Sequence, residues 1–495
     1  MGDIQEVELV EGGASEAIPS DAPQQRRRWW RAAGAVVVVG ALVLAGQVVL
    51  DRRHREHEAR FDDVPGVLLP VPREPHVAWM ADDDAHAHLA DAIEVGGVLV
   101  GGTLGDDGYS ITGTDRATGA ARWTVTGPLG DPGETTQWVT QDWTPRAQCV
   151  PMGAWVACGV DEVGPGYVAP DPEATRIVVL DPADGTVASD RVSSVRTWTA
   201  DAEQVVTATS TRLGEEVTWT LTAYDVHGAQ TWTRTLPAAT VLDDADGVAD
   251  YSTALRADDD RIAMMDEGHL WLVDHDGSLV EDRPVEARRF YGFDRGVVVS
   301  YPYANDDGTP SSEPAGFITH DGGWTPLAGT PLAIGVDDGS ADGVVLSAPR
   351  TDEPSSTGPL EAHDATTGDL LWSYPAALVD SALVLDRTVF ALVQTQAGDD
   401  VQHVVALDAR AGRERWTSEP MRGAGLVGGL QLATDGRDVL ALGPAVVAAF
   451  SIDDGKPAPP VDLAGAGPTN GVSAHDGLLQ VDVADKSGSV VGVLG

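Results

Sequence analysis

The sequence predicts an all-β protein, a β-propeller of about eight four-stranded blades preceded by a single transmembrane helix. Three observations support this prediction: a short phrase recurs about every 45 residues, apolar and polar residues alternate before each copy, and one uninterrupted apolar run lies near the N-terminus. The chain has 495 residues, which is long for one ordinary domain, so a repeat architecture is considered first.

Copies of the recurring phrase are aligned on an aspartate, and a glycine follows that aspartate three or four positions later. The fullest copies read LEAHDATTGDLLW from residue 360 and VVALDARAGRERW from residue 404. The leading aspartates are Asp115, Asp181, Asp225, Asp274, Asp364 and Asp408, at intervals of 66, 44, 49, 90 and 44 residues. The glycines include Gly119, Gly185, Gly368 and Gly412, and a tryptophan stands near the start of the following strand at Trp123, Trp232, Trp372 and Trp416.

The uneven intervals still fit one period. The interval of 90 holds a degenerate copy, GFITHDGGW at 316–324, and the interval of 66 holds one period plus an inserted cysteine hairpin. A further copy at 446–456 has Ser451 in place of the aspartate, which gives eight units. HVAWMA at 76–81 and the strands within 477–495 are candidates for a blade completed by both termini. Counting that blade separately would give nine, and the expectation is kept at eight.

Each unit has a direct physical interpretation. The alternation before the aspartate has the period of a strand. The aspartate accepts hydrogen bonds from the amides just ahead of it, and glycine supplies the positive φ that closes the turn. A second hairpin, as in ALVLDRTVFALVQ at 382–394, lies between consecutive phrases. Two hairpins per period form a four-stranded sheet, and eight such sheets arranged radially form a propeller.

The phrase A-x-D-x-x-T-G-x-x-x-W resembles the repeat of quinoprotein-type (PQQ-like) β-propellers. It is matched best by Ala362, Asp364, Thr367, Gly368 and Trp372, and the resemblance covers roughly residues 75–495. The resemblance implies that each tryptophan docks between neighbouring blades. It does not imply one activity, because the same propeller serves alcohol dehydrogenases, outer-membrane assembly factors and extracytoplasmic sensor domains.

Quinone-dependent dehydrogenases of this family place an adjacent Cys-Cys disulfide over the cofactor, and they bind calcium beside a catalytic aspartate. This chain has no adjacent cysteines, and the calcium-ligand set is not found at recognisable positions. We therefore expect no bound quinone or other cofactor, no metal site and no catalytic residue.

The apolar run at 32–50 contains no charged residue and one polar side chain, Gln47. A helix of that length spans about 28 Å at 1.5 Å per residue, close to the hydrocarbon thickness of a bilayer. A cleaved signal peptide is disfavoured because no A-x-A-like site precedes the charged segment DRRHREHEAR. Lipidation is excluded because Gln47 stands where the LAGQ outline of a lipoprotein site requires cysteine.

Orientation rests on the flanking residues. Four arginines lie on each side of the apolar run, so the positive-inside rule gives no decision. Trp29 and Trp30 beside the N-terminal arginines, together with a large acidic domain containing two cysteines, favour a cytoplasmic N-terminus. The expected organisation is a disordered cytoplasmic tail at 1–31, the membrane helix at 32–50, a juxtamembrane linker at 51–74 and an extracytoplasmic propeller at 75–495.

Charge and cysteine content limit the possible partners. The chain has 77 acidic and 32 basic residues, a formal net charge of -45, which repels phosphate backbones and excludes nucleic acid as an expected partner. The two cysteines, Cys149 and Cys158, lie in QCVPMGAWVACG, where a hairpin can set the sulfurs opposite each other. We expect a disulfide outside the reducing cytoplasm, and two unpaired buried thiols are the alternative.

Other motifs give weaker signals. The G-x-G-x-x-G match at 423–428 leads into a strand instead of opening a helix, so a dinucleotide site is not expected. DDDAHAH at 82–88 gathers carboxylates and imidazoles that could bind a divalent cation, and it is interpreted as a solvated loop. DDADG at 243–247 and VDDGSADG at 336–343 lack the terminal glutamate of an EF-hand loop and fit hairpin turns. The sequence contains neither G-x-S-x-G nor H-E-x-x-H.

Two functional hypotheses follow. The first is a membrane-tethered, extracytoplasmic propeller that serves as a non-enzymatic binding or interaction platform for a protein or cell-envelope ligand. The alternative is a degenerate quinone-dependent dehydrogenase or another enzyme with its site in the central channel. The sequence leaves the ligand, the oligomeric state and the binding face open.

Overall fold

The computed structural model describes most of the chain after residue 60. The described residues are 61, 64–80, 89, 92–105, 108–128, 146–161, 173–214, 216–240, 254–257, 261–266, 269–284, 289–294, 297–302, 315–319, 323–332, 334–348, 358–376, 378–394, 401–422, 430–443, 447–461, 463, 469–475, 477–485 and 488–494. The predicted tail, membrane helix and residues 51–60 lie outside this set. Within the described residues, no helix has the length and apolarity that crossing a bilayer requires.

The described residues form nine sheets, numbered here as blades in chain order, and all strand pairs but β24 with β28 are antiparallel. The chain starts with β1 (Val77–Met80). Blade 1 contains β2 (Ile93–Val95), β3 (Val98–Gly105), β4 (Gly108–Asp115) and β5 (Ala121–Gly127). Blade 2 contains β6 (Arg146–Met152), β7 (Trp155–Asp161), β8 (Glu173–Leu180) and β9 (Val187–Val195). Blade 3 contains β10 (Thr197–Ala200), β11 (Gln204–Leu213), β12 (Glu216–Asp225) and β13 (Gln230–Thr235), with β14 (Ala239–Thr240) beside β12.

The middle blades follow the same plan. Blade 4 contains β15 (Ala254–Ala257), β16 (Arg261–Asp266), β17 (His269–Asp274) and β18 (Leu279–Pro284). Blade 5 contains β19 (Arg289–Asp294), β20 (Val297–Pro302), β21 (Gly316–Ile318) and β22 (Trp324–Pro326). Blade 6 contains β23 (Thr330–Pro331), β25 (Val344–Ala348), β26 (Gly358–Asp364) and β27 (Leu370–Ala376), and β24 (Ile334–Asp337) leaves it to pair in parallel with the next blade.

The last three blades close the ring. Blade 7 contains β28 (Leu378–Leu385), β29 (Thr388–Gln394), β30 (Val401–Asp408) and β31 (Glu414–Thr417), with β24 beside β28 and β32 (Met421–Arg422) beside β30. Blade 8 contains β33 (Gln431–Thr434), β34 (Asp438–Leu442) and β35 (Val447–Ser451). Blade 9 contains β36 (Thr469–His475), β37 (Leu478–Asp485) and β38 (Gly488–Leu494), and β1 is its fourth strand.

Blade 9 corrects the expected number of blades. The fold is a β-propeller with four-stranded blades, as predicted, but it has nine blades, and the count of about eight was wrong. β1 pairs antiparallel with β38, with Val77 opposite Leu494. In blades 1 to 7 the repeated phrase lies at the turn between the third and fourth strands, and in blade 8 it follows the third strand, β35. Blade 9 takes its third strand from the end of the chain and its fourth from the beginning, so no turn joins them and no phrase marks the blade.

The core of the propeller lies between its blades. The described residues form nine clusters of buried apolar side chains, one at each contact between neighbouring blades, which we call seams. For example, Ala92 and Leu99 of the first blade pack with Leu478 and Val493 of the last. Since every inner strand packs on both faces, strands such as β29 are buried along nearly their whole length.

Strand direction gives the ring two unlike faces. In each four-stranded blade the first and third turns lie at one edge of the sheet, and we call this edge of the ring the turn face. Hydrogen bonds link these turns: the amide of Arg116 donates to the carbonyl of Gly97, and that of Ala409 donates to Arg387. The opposite ends of these strands form the other face, which includes the described hairpin between β11 and β12.

Candidate functional site

The predicted repeat aspartates lie on the turn face, in the turn between the third and fourth strands of their blades. The Oδ1 atom of Asp115 accepts hydrogen bonds from the amides of Ala117 at 3.1 Å and Thr118 at 2.9 Å. Gly119 closes this turn with φ +69°. Side-chain bonds of the same kind are made by Asp181, Asp225, Asp364 and Asp408. Asp274 closes its turn through its backbone, whose carbonyl accepts from the amide of Gly277.

These bonds stabilise the ionised forms of Asp115 and Asp408. Hydrogen bonds from the side chains of Arg122 and Thr118 hold the pKa of Asp115 at about 2, below its usual 3.8. The amide of Ala411 is the largest cause of the lowered pKa of Asp408. A carboxylate that accepts bonds from its own turn is bound to the scaffold, so these aspartates have a structural role here.

The four predicted repeat tryptophans lie at the seams. The indole nitrogen of each donates to a backbone carbonyl in the phrase of the next blade. The pairs are Trp123 to Pro182 at 2.8 Å, Trp232 to His275 at 2.9 Å, Trp372 to Ala409 at 2.8 Å and Trp416 to Ile452 at 3.1 Å. Each acceptor directly follows the aspartate of the next phrase, or, for Ile452, the serine that replaces that aspartate. This arrangement joins the repeat turn of one blade to the outer strand of the blade before it.

The repeat glycines are required for a second reason besides their positive φ. A Cβ atom at Gly412 would lie 2.4 Å from Cγ of Trp372, and one at Gly185 would lie 2.7 Å from Cδ2 of Trp123. The indole ring therefore packs directly on the glycine of the next turn. At Gly368 the neighbour is instead Thr325, because the preceding blade carries the degenerate copy.

Two docking contacts were missed from the sequence. Trp79 on β1 packs against Gly119 and so occupies the position of the repeat tryptophan at the seam between blades 9 and 1, which we call the closing seam. Its position in HVAWMA was a signal, but no phrase precedes it. At the seam between blades 2 and 3, Trp198 is buried, but the repeat-turn glycine Gly228 has Ser189 as its described neighbour and no described tryptophan. Arg191 lies there, with its guanidinium 3.5 Å from the ring centre of Tyr224.

The predicted disulfide is present. Cys149 and Cys158 are directly opposite each other on β6 and β7, with an S–S distance of 2.08 Å. Both residues are buried within the cluster between the first two blades. The alternative of two unpaired thiols is wrong.

Of the remaining candidate motifs, the structure describes one. DDDAHAH, DDADG and the glycine motif at 423–428 lie outside the described residues. VDDGSADG is described: Asp337 accepts from the amide of Gly339, and Asp338 accepts from those of Ser340 and Asp386. In the part of the chain that the structure describes, no three His, Cys, Asp or Glu side chains are grouped so as to hold a metal.

Two polar clusters lie at seams. At the seam between blades 3 and 4, Nδ1 of His275 lies 3.0 Å from Asp201 and its Nε2 lies 3.1 Å from Glu203. At the seam between blades 5 and 6, Ser347, Glu361 and His363 are all buried. Oγ of Ser347 and Nε2 of His363 have no hydrogen-bond partner among the described residues. Neither cluster shows a hydrogen bond between a hydroxyl or thiol nucleophile and a base, the contact that activates the nucleophile in covalent catalysis.

Comparisons with known proteins give distant structural likeness. No protein-family model matches the sequence, and no curated protein matches it either. A quinohemoprotein alcohol dehydrogenase from Pseudomonas putida is similar at 13% identity and a TM-score of 0.33, over 81% of this chain and 73% of that one. The β-propeller domain of the Trilobed protease from Pyrococcus furiosus is similar at 10% identity and a TM-score of 0.29, over 61% and 92%. The Pan2 WD40 domain of Neurospora crassa follows at 11% and 0.28, over 60% and 88%.

Proposed function

We propose that the protein is a membrane-tethered, extracytoplasmic β-propeller that acts as a non-enzymatic platform and binds a protein or cell-envelope ligand. The observation that carries this proposal is the use of the repeat residues. Their carboxylates accept bonds within their own turns, and their indoles dock on the next blade. The recurring polar groups thus build the ring, and recognition falls to residues that differ between blades.

The tether and compartment are supported by two features. Residues 32–50 have the length and apolarity of a membrane helix. The disulfide between Cys149 and Cys158 suits an oxidising compartment, where such bonds persist. An acidic ring outside the membrane would repel anionic partners at long range, which favours a neutral or basic ligand.

The face opposite the turn face is the better place to probe for a ligand. Leu213 lies at the tip of the β11–β12 hairpin on that face, and 80% of its surface is exposed. Leu370 lies on the outer strand β27 and is 54% exposed, so it serves as a matched control of the same residue type.

The experiment places a photo-crosslinking amino acid at Leu213 or Leu370 in the full-length protein and irradiates intact cells. We expect a reproducible adduct of defined mass from position 213 and little or none from position 370. Identical adducts from both positions would contradict the proposed platform. A lack of adducts at position 213 and at every other probed site on that face would also contradict it. Fractionation of the same cells tests the tether, because the protein is expected in the membrane pellet.

A further inference from the structure

The chain just before β1 lies across the turn face. Residues 64–73 together with Phe61 are here called the strap. The amide of Leu68 donates to the carbonyl of Thr434 at 2.8 Å. Further along, the amide of Val71 donates to Oδ2 of Asp435 at 3.3 Å, and Arg73 forms an ion pair with Asp438. These partners belong to the first turn of blade 8 and its edges, so the strap is bound there as an extended peptide would be.

Apolar side chains of the strap enter two seams. Phe61 and Val67 are buried in the cluster between blades 7 and 8. Leu68 is buried in the cluster between blades 8 and 9. Gly66 has φ +81°, and a Cβ atom there would lie 3.1 Å from the carbonyl oxygen of Gly335 on β24, which leaves little room for a side chain.

Arg116 joins the strap to both ends of the ring. Its Nη2 donates to the carbonyl of Val67 at 2.7 Å and also to the carbonyl of Gly477 in the first turn of blade 9. Its Nη1 donates to Glu94 of blade 1 at 2.7 Å. The side chain is 7% exposed, so these charge-assisted bonds are shielded from solvent.

The seam that closes the ring has weaker bonding of its own. Within blade 9, β1 and β38 share three register pairs, the same number as β30 and β31 of blade 7 and fewer than the six of β4 and β5. The indole nitrogen of Trp79 is buried without a hydrogen-bond partner among the described residues, unlike that of Trp372. The strap supplies bonds at the place where the ends of the chain meet.

We propose that the strap is an intramolecular peptide ligand of the propeller, held by blades 7, 8, 9 and 1, and that its binding keeps the ring closed at the junction of its first and last blades. The strap should therefore stay bound to the propeller even when the peptide chain between it and β1 is cut. Displacement of the strap loosens that junction first and leaves the far side of the ring unchanged.

The test uses the full-length protein with a specific protease site inserted between Glu74 and Pro75, after the strap and before β1. We expect the cleaved N-terminal fragment to co-elute with the propeller under native conditions, and to separate in denaturant or in excess synthetic peptide of residues 61–74. Prompt separation under native conditions would overturn the proposal. The proposal would also be overturned if the cleaved fragment of the Leu68→Asp variant stayed bound as tightly as the native fragment, because another segment would then be holding it.

A second measurement does not depend on cleavage. In the uncleaved Arg116→Gln variant, amide hydrogen exchange is expected to rise at least tenfold in β1, β2 and β36 while β11 and β12 keep their native rates. Arg176→Gln, which removes an ion pair with Asp190 at 2.7 Å, is the matched control and leaves the closing seam unchanged. If exchange in the closing seam of Arg116→Gln is unchanged, or rises equally in all blades, the proposal that the strap keeps the ring closed is contradicted.

Discussion

The indole nitrogen of Trp372 donates a 2.8 Å hydrogen bond to the carbonyl oxygen of Ala409, across the seam between blades 6 and 7. Ala409 directly follows Asp408, whose carboxylate organises the turn that presents this carbonyl. Gly412, in the same turn, leaves room for the indole ring. One repeated phrase therefore builds a turn within its own blade and a docking site for the blade before it.

Loss of this tryptophan should destabilise the seam. Trp372→Ala removes a buried aromatic side chain, and we expect the free energy of unfolding to fall by about 3–5 kcal/mol. Trp372→Phe keeps a ring but leaves the carbonyl of Ala409 without its donor, for a loss of about 1–3 kcal/mol. Both losses can be measured by urea titration with far-ultraviolet circular dichroism as the signal, because tryptophan fluorescence would itself change in these variants.

The control for this prediction lies on the same strand. Leu370 is 54% exposed, so Leu370→Ala should change the free energy of unfolding by no more than about 0.5 kcal/mol. Equal losses in Leu370→Ala and Trp372→Ala would contradict a specific docking role for the indole.

Asp115 makes part of the stability dependent on acid pH. Its folded-state pKa of about 2 lies below the ordinary 3.8, because Arg122 and Thr118 bond to the charged form. The contribution is present above the ordinary value and is lost as pH falls through about 2. Native protein should melt at a higher temperature than Asp115→Asn at pH 5 to 7, and the difference in Tm should shrink below the ordinary pKa of 3.8 and be mostly lost near pH 2.

The partner arginine provides the control for that pH dependence. Arg122→Gln removes the same ion pair from the other side, so the double variant with Asp115→Asn should lose little more than either single variant. A constant difference in Tm between native protein and Asp115→Asn from pH 7 to pH 2 would show that ionisation of this carboxyl is irrelevant to stability.

The disulfide should contribute moderately to stability. Cys149 and Cys158 lie nine positions apart, and closing so short a loop contributes at most about 3 kcal/mol. The β6–β7 register restricts the same chain, so Cys149→Ala with Cys158→Ala should retain the fold with a lowered Tm. Because both sulfurs are buried, a mild reductant should act only on unfolded protein. Fast reduction of the native protein would argue against this burial.

Ser347 offers a test of buried polar groups. Its hydroxyl is fully buried without a partner among the described residues, so Ser347→Ala should leave the free energy of unfolding unchanged or raise it by about 1 kcal/mol. Ser418 is the matched control, because its Oγ accepts from the amide of Val404 and donates to the carbonyl of Glu419. Ser418→Ala should lower stability by about 1–3 kcal/mol, and the opposite order would contradict the assigned bonding.

The features that the sequence predicted are those fixed by nearby residues. The turn from Asp364 to Gly368 involves five consecutive positions, and the Cys149–Cys158 hairpin joins two adjacent strands. Their geometry follows from turn chemistry and strand alternation alone. The period of the phrase then indicated a propeller.

The features that the sequence did not predict depend on distant residues. Arg116 bonds to Gly477 and Val67, and no local pattern shows that these three positions meet. The ninth blade has no phrase because the ends of the chain supply its outer pair of strands. β24 leaves its own blade to pair in parallel with β28, which alternation along one strand does not reveal.

The most direct test of the account is thermal unfolding of the full-length protein with and without pyrroloquinoline quinone plus Ca²⁺. A ligand that binds only the folded state raises Tm by mass action, so a dehydrogenase that takes this cofactor would show a saturable rise. The proposed platform predicts one cooperative transition whose Tm does not change with either addition. A saturable increase in Tm would contradict it and direct the search to an oxidisable substrate.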